Sequence, residues 1–310
     1  MHRRLPTYSS SIDELRPFSK IRLIVADLDG SLVESTSSNL SESITKFRSK
    51  LSHVRYQIDF TVATGRTFFG AQRIINSLKL KKGVPYIIYN GSVIAYGSNA
   101  FAISTKHIPN SALANTLKIA RNNNLTALAY VFSTGPSSKS LLMQETVYGW
   151  ATHRKFTHEV NGLPVFWHTY DQIPEIKPSA ILLLIPRGSE RLPSLTHDLQ
   201  SIDGMSVTSS GSEFLEIRPH GSNKGSALKL LAKHIEVQQN EILAIGDNDN
   251  DIEMLKWAGI GVGVAGSSPM AAESADFISD YDAVGGAIQV LNTISHARRY
   301  FDQSTRGRYE

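Results

Sequence analysis

Ile21-Arg22-Leu23-Ile24-Val25-Ala26 runs without a break into Asp27-Leu28-Asp29-Gly30-Ser31-Leu32. A short apolar run that ends in two carboxylates and a glycine reads as a buried parallel strand with polar residues at its carboxyl end. The pattern returns three times. Phe60-Thr61-Val62-Ala63 leads into Thr64-Gly65-Arg66, Pro85-Tyr86-Ile87-Ile88-Tyr89 into Asn90-Gly91, and Glu241-Ile242-Leu243-Ala244-Ile245 into Gly246-Asp247. Amphipathic segments at 41–51, 68–78, 226–235 and 252–257 fit helices of the same part of the chain. Strand, turn and helix in alternation predict an α/β fold with a doubly wound, mainly parallel sheet. Ligands of such sheets sit beyond the carboxyl ends of the strands, which is where the polar residues fall.

The middle third reads differently. From about 92 to 218 the pattern suggests hairpin-like strands, at 126–132 and 140–145, with a turn at Ser133-Thr134-Gly135-Pro136-Ser137-Ser138 between them. Further strands are expected at 180–185 and 214–217. The reading is an inserted α+β domain at 91–219, with a discontinuous core at 21–90 and 220–310 and a loose N-terminal arm at 1–20.

Bulk properties narrow the function. The chain has 310 residues, 41% of them hydrophobic, which suits one large α/β domain or two moderate ones with a sizeable core. The net charge of +4 is mild, and no basic stripe interleaves with aromatics, so no nucleic-acid partner is expected. Cysteine is absent, which excludes disulfides, thiolate metal sites and cysteine nucleophiles. No apolar run is long enough to span a bilayer, so no membrane partner is expected. The first twenty residues lack the apolar segment of a secretory signal; Asp13 and Glu14 argue against a transit peptide, and the expectation is a cytoplasmic protein.

Four motifs carry chemistry. In the first, Asp27 and Asp29 can aim at one small site: one carboxylate can attack phosphorus, and a second can give and take a proton. Gly30 would let the backbone approach a phosphate closely. Alone, the segment is equally an acidic turn. In the second, Gly246-Asp247-Asn248-Asp249-Asn250-Asp251 packs three acids into five residues, which need water or a cation. Oxygen ligands without histidine or cysteine suit a hard ion, and Mg2+ fits a phosphate enzyme best. A calcium loop fails on spacing, because Ile252 and Ala258 would hold its glycine and glutamate positions. The third, Thr64-Gly65-Arg66, offers a hydroxyl at a strand end before a helix N-terminus, a natural phosphate contact. The fourth is Lys224, in the first turn of a helix that Ser222 is expected to cap. The helix dipole disfavours a cation there, and an anion bound at that end would explain it.

The order of the four resembles the haloacid dehalogenase superfamily of phosphatases, and most closely its Cof-type branch, with a type IIB cap between the second and third motifs. The resemblance covers residues 21–91 and 215–282, including Asn90-Gly91, Leu215-Glu216-Ile217-Arg218-Pro219, Lys224 to Leu228, and Gly246 to Leu255. It implies Asp27 as nucleophile and metal ligand. It makes Asp29 the general acid/base, whose carbonyl also binds the metal. Thr64 and Lys224 would hold the phosphoryl oxygens, Asp247 would bind Mg2+, and Asp251 would support that site. Asn250 is expected at the phosphoryl group or a metal-bound water, and Arg66 and Asn90 near the phosphate or its leaving group. Ser31 stands where threonine is more usual, and Asp249 falls at a position the family leaves variable.

The function expected is hydrolysis of a small phosphorylated metabolite, such as a sugar phosphate, through an aspartyl-phosphate, by a monomer or homodimer. Two rivals remain. A phosphomutase would need a bisphosphate activator; a silent binding protein would be expected to lack one of the acids. Candidate readers of the leaving group in the insertion are His107, Tyr130, Lys139, Trp150, His153 and Arg154.

Overall fold

The computed structural model describes residues 3–33, 40–54, 58–133, 145–151, 163–186, 192–210 and 213–306. All but the first residue of the turn expected at 133–138, all but the last of the strand expected at 140–145, and the candidates Lys139, His153 and Arg154 lie outside them.

In chain order come β1 (Arg3–Arg4), α1 (Ile12–Ser19), β2 (Leu23–Ala26), α2 (Leu40–Ser52), β3 (Asp59–Val62), α3 (Phe68–Leu78) and β4 (Tyr86–Ile88). The middle of the chain forms β5 (Val93–Tyr96), β6 (Phe101–Thr105), α4 (Asn110–Asn122), β7 (Thr126–Phe132), β8 (Glu145–Trp150) and β9 (Val165–His168). It continues as β10 (Ala180–Leu184), α5 (Leu192–Gln200), β11 (Met205–Ser210) and β12 (Phe214–Pro219). The last part holds α6 (Lys224–His234), β13 (Ile242–Gly246), α7 (Ile252–Trp257), β14 (Ile260–Gly263), α8 (Pro269–Ser274), β15 (Phe277–Ile278) and α9 (Ala283–Arg306). Two compact units share the chain. One takes residues up to 64, 72–87 and from 223 onward; the other takes 65–71 and 88–222.

The first unit is built on a parallel sheet of order β1-β15-β14-β13-β2-β3. Every residue of β2 and β13 is buried, as expected of parallel strands covered on both faces. β2 is flanked by β3, which follows it in sequence, and by β13, which arrives from the far end of the chain. Strand order reverses at this pair, so a crevice opens beyond their carboxyl ends. The stretch expected as a loose arm is built into this unit. Arg3 and Arg4 pair with Phe277 and Ile278. Ser11 and Glu14 form a capping box at the start of α1, and its Leu15 and Phe18 are buried. Two apolar anchors and a reciprocal cap are enough to dock a two-turn helix.

The second unit has a six-stranded sheet of order β11-β12-β10-β7-β8-β9, antiparallel except for β8 and β9. One face buries a cluster that includes Leu113, Leu117, Ala129, Trp150, Ile181, Leu195 and Ile217, contributed by α4, α5 and alternate strand residues. Trp150 therefore serves as core, with its indole donating to Gln172 O at 3.0 Å.

α6 packs on α7 closely enough that a Cβ at Gly225 would meet the Glu253 carbonyl group at 2.5 Å. Backbone cannot retreat as a flexible side chain does. Gly225→Ala is expected to cost about 2 kcal/mol, read as a lowered urea midpoint with the slope unchanged. An unchanged midpoint would show that the two helices can part without loss.

Candidate active site

The ends of β2 and β13 place two acids side by side. Asp27 N donates to Ile245 O at 2.9 Å, continuing the ladder past the strand proper. Its carboxylate meets Lys224, whose ammonium donates to Asp27 Oδ1 and Asp251 Oδ1, both at 2.7 Å. Lys224 and Asp251 are 0% exposed and Asp27 4%. The other oxygen of Asp251 accepts from the backbone of Asp247 at 3.0 Å and Asn248 at 3.1 Å, so this acid shapes the turn after β13. Ser31 donates to Asp247 Oδ1 at 2.8 Å and ties the first motif to the fourth.

Gly30 has a structural reason to be a glycine. Its φ is +85°, and a Cβ there would fall 2.2 Å from Asp247 Oδ2. The glycine makes room for a carboxylate of the protein itself. Thr64 is fully buried beyond β3, whose Val62 pairs with Ala26, and its N–H donates to Ile87 O at 2.9 Å. Asn250 lies in the 3-10 turn Asp249–Asp251, and Asp29 follows β2 half-buried.

Lys224 is the first residue of α6, and its cap is Asn223 rather than Ser222. Asn223 Oδ1 accepts from Ser226 N at 2.6 Å, and Ser226 Oγ accepts from Asn223 N at 3.3 Å. The anions that offset the dipole's repulsion of the lysine are the protein's own Asp27 and Asp251.

Burial pushes the Asp27 carboxyl well above its ordinary range; Lys224 draws it back, and Asp251 and Asp247 push it further up. Burial disfavours the Lys224 ammonium, but Asp251 and Asp27 outweigh that and hold it protonated more firmly than a free lysine. Burial likewise raises Asp247 from 3.8 to about 6, with the Ser31 hydrogen bond opposing and Asp251 adding. Three acids thus face one cation. Asp27, Asp247 and Asp251 each offer a carboxylate oxygen within 4.8 Å of the others. An all-oxygen, net anionic donor set fits a hard divalent cation such as Mg2+.

Gly65, Arg66 and Asn90 form a separate cluster in the second unit. Asn90 Nδ2 donates to both Glu216 oxygens at 2.9 Å, and a Cβ at Gly65 would crowd Asn90 Nδ2 at 2.8 Å. Arg66 O accepts from Tyr89 N at 3.0 Å, and its guanidinium donates to Gly70 O at 3.2 Å. The N-terminus of α3, expected as a phosphate contact, is already engaged. Glu145, buried, accepts from Phe68 N, from Phe69 N at 2.7 Å and from Tyr89 OH at 2.7 Å. Burial raises its carboxyl, and those three donors pull it back. No sequence signal pointed to Glu145, the last residue of an expected strand. Glu216 was visible as the acid of Leu215-Glu216-Ile217, but without its partner.

Comparison with known proteins agrees with this geometry. The profile of the haloacid dehalogenase-like hydrolases matches residues 24–291. The putative phosphatase YxeH of Bacillus subtilis is 25% identical over 261 residues, 83% of this chain and 92% of that protein. The 5-amino-6-(5-phospho-D-ribitylamino)uracil phosphatase YcsE of the same organism is 24% identical over 274 residues, 87% and 94% of the two. A haloacid dehalogenase-like hydrolase from Bacteroides thetaiotaomicron shares the fold at a TM-score of 0.72 and 23% identity, over 88% of this chain and 99% of that one.

A carboxyl whose folded pKa lies above its unfolded value takes up a proton on folding. Its stabilising contribution is present below about pH 4 and is lost as pH rises through about 6. For Asp247 the loss amounts to roughly 1–2 kcal/mol after allowance for its partial exposure. In chelator, Asp247→Asn should therefore gain on the wild type by about 3 °C in Tm between pH 4 and 7. A Tm difference that does not change with pH would place the strain on another group. With motifs, sheet order and profile in agreement, the chain belongs to the haloacid dehalogenase-like hydrolase family, in its Cof-type phosphatase branch, and is an enzyme.

Proposed function

We propose that this enzyme is a Mg2+-dependent phosphatase of small phosphorylated metabolites and that it works through an aspartyl-phosphate on Asp27. The observation that carries the reading is the buried Lys224 bridging Asp27 and Asp251 at the crevice of the parallel sheet. Relatives named as phosphatases support the reaction class, one of them named for a ribitylaminouracil phosphate. The second unit is taken as the cap, and a sugar phosphate or similar monoester as the substrate.

In the first step an Asp27 oxygen attacks phosphorus and the bond to the leaving oxygen breaks, while Asp29 protonates that oxygen. In the second, Asp29 takes a proton from water, the water oxygen bonds to phosphorus, and the phosphorus bond to Asp27 breaks. Phosphate leaves and both acids are restored. Lys224 and the Thr64 hydroxyl hold phosphoryl oxygens, with Asn250 as a further contact and Arg66 and Asn90 toward the leaving group. Asp27, Asp247 and the Asp29 carbonyl would hold Mg2+, with Asp251 in support. Bound there, the cation supplies charge neutralisation between an anionic nucleophile and an anionic substrate.

Asp27→Asn should abolish phosphate release while keeping the fold, with a Tm equal to or above the wild type because like-charge repulsion is relieved. Near-normal release would sink the covalent mechanism. Chelation should stop turnover, and Mg2+ should restore it better than Ca2+, which prefers more ligands in a looser geometry. Full activity in excess chelator would remove the metal from the reading.

Asp29→Ala separates the two carboxylates of the first motif. A sugar phosphate needs the leaving-group proton and should be turned over poorly. Nitrophenyl phosphate needs it far less, so the first step should survive and hydrolysis of the intermediate should lag. The expected record is a brief nitrophenolate burst with phosphoenzyme visible by mass spectrometry. Steady wild-type turnover of nitrophenyl phosphate without phosphoenzyme would move the base elsewhere.

A further inference from the structure

The parallel sheet of the first unit carries opposite charge at its two edges. Residues 42–82 hold nine lysines and arginines against two acids, Glu42 and Asp59. Arg55 lies outside the described residues and Arg66 in the second unit. Without those two, seven remain, on α2, on α3 and in the turn after it. α2 leads into β3, the end strand of the sheet, and α3 follows it. Arg48 joins the two helices by donating to Ser77 O at 3.3 Å, and Lys81 bridges to Asp59 at 2.8 Å. The negative C-terminal ends of α2 and α3 account for Lys50 and Lys79. They do not account for Lys46, Arg48 or Arg73. Lys46, Lys50, Arg73 and Lys82 are exposed.

At the other end of the sheet the balance is reversed. Residues 252–283, past the acids of the candidate active site, hold five acids, Glu253, Glu273, Asp276, Asp280 and Asp282, against one base, Lys256. All five acids are exposed, and Arg4 answers one of them, Asp280, at 3.1 Å. They belong to α7, α8 and the residues around β15. Met270 and Tyr281 stand in the same stretch, 57% and 60% exposed.

Among the described residues, no large apolar side chain is exposed on α2, on α3 beyond Phe69, or in the turn to β4. The basic edge offers no platform for stacked bases and no wedge to enter a bilayer. Its chemistry suits an acidic protein surface, and this chain carries one at the far edge of the same sheet. Lysine stems can lie along Met270 and Tyr281 while their ammonium groups meet the carboxylates. Methionine and aromatic side chains are also what protein interfaces favour. The strands β14, β13 and β2 separate the two edges, so one molecule cannot bring them together. Two copies can, and a contact between unlike patches links them head to tail.

We infer that the protein associates with itself head to tail, the basic edge of one copy, formed by α2, α3 and the turn after it, docking on the acidic edge around α8 and β15 of the next.

Sedimentation of the full chain tests this. At about 20 mM NaCl the mass should rise with protein concentration above that found at about 300 mM, with an association constant at least about tenfold larger at the lower salt. A mass that is the same in both salts would overturn the proposal, including the case in which the basic edge binds duplex DNA or acidic lipid vesicles instead.

Charge reversal separates the two edges. Lys46→Glu with Lys50→Glu and Lys82→Glu makes both edges acidic; Glu273→Lys with Asp282→Lys makes both basic. Each variant alone should lose the low-salt growth in mass, because like charges then meet. An equal mixture of the two should regain it, a recovery that a merely weakened fold would not give. Association that survives either reversal, or a mixture that stays apart, would overturn the head-to-tail contact. Should a reversed variant fail to fold, Lys46→Gln with Lys50→Gln and Lys82→Gln takes its place. It should lower the low-salt association constant at least about tenfold, and an unchanged constant would overturn the proposal.

Discussion

The Lys224 ammonium, 2.7 Å from Asp27 and from Asp251 and wholly out of water, is the contact on which the first unit's chemistry depends. Each partner alone would be a stranded charge. Their mutual neutralisation needs β2 and β13 as sheet neighbours, a helix that starts at residue 224, and a glycine at 225 that lets that helix close on α7. The balance is incomplete, because Asp247 adds a third acid to one lysine. Burial above all, and the surplus negative charge after it, keep Asp27 and Asp247 reluctant to ionise. The same surplus makes the place receptive to a divalent cation.

Much of this was written in local sequence. Buried parallel strands are short and uniformly apolar, so the run 21–26 and the run 241–245 stood out, and the acids after them marked the crevice. What escaped the sequence depended on partners far along the chain. Nothing near Ser222 and Asn223 tells which of two good caps will be used; the reciprocal bond with Ser226 decides for Asn223. The crowding of Gly30 by Asp247 could not be read locally, because that carboxylate comes from another strand. Residues 1–20 looked loose because the docking surface for Leu15 and Phe18 is made by the other end of the chain.

The second unit shows the same logic at its entry. Tyr89, Asn90 and Gly91 all have positive φ, an uncommon run for a tyrosine and an asparagine. Such a backbone persists only when its surroundings over-determine it. Here the Tyr89 hydroxyl is held by Glu145, the Tyr89 amide by Arg66, and the Asn90 side chain by both oxygens of Glu216. Two buried or half-buried glutamates from separate strands fix the conformation of three residues.

The adjacency of β2 and β13 also governs when the protein can become itself. Leu23 has no neighbour on that side until Ile242 is made. A ribosome that has released the first half of this chain has released a fully apolar strand with one edge unpaired, and an aspartate without its lysine. Contacts of such long sequence separation form late, and the unfinished edge is open to wrong pairing while it waits. The nascent chain therefore passes through a long interval in which it is both inert and sticky, and shelter during synthesis matters more for this enzyme than for one whose catalytic groups lie close together in sequence.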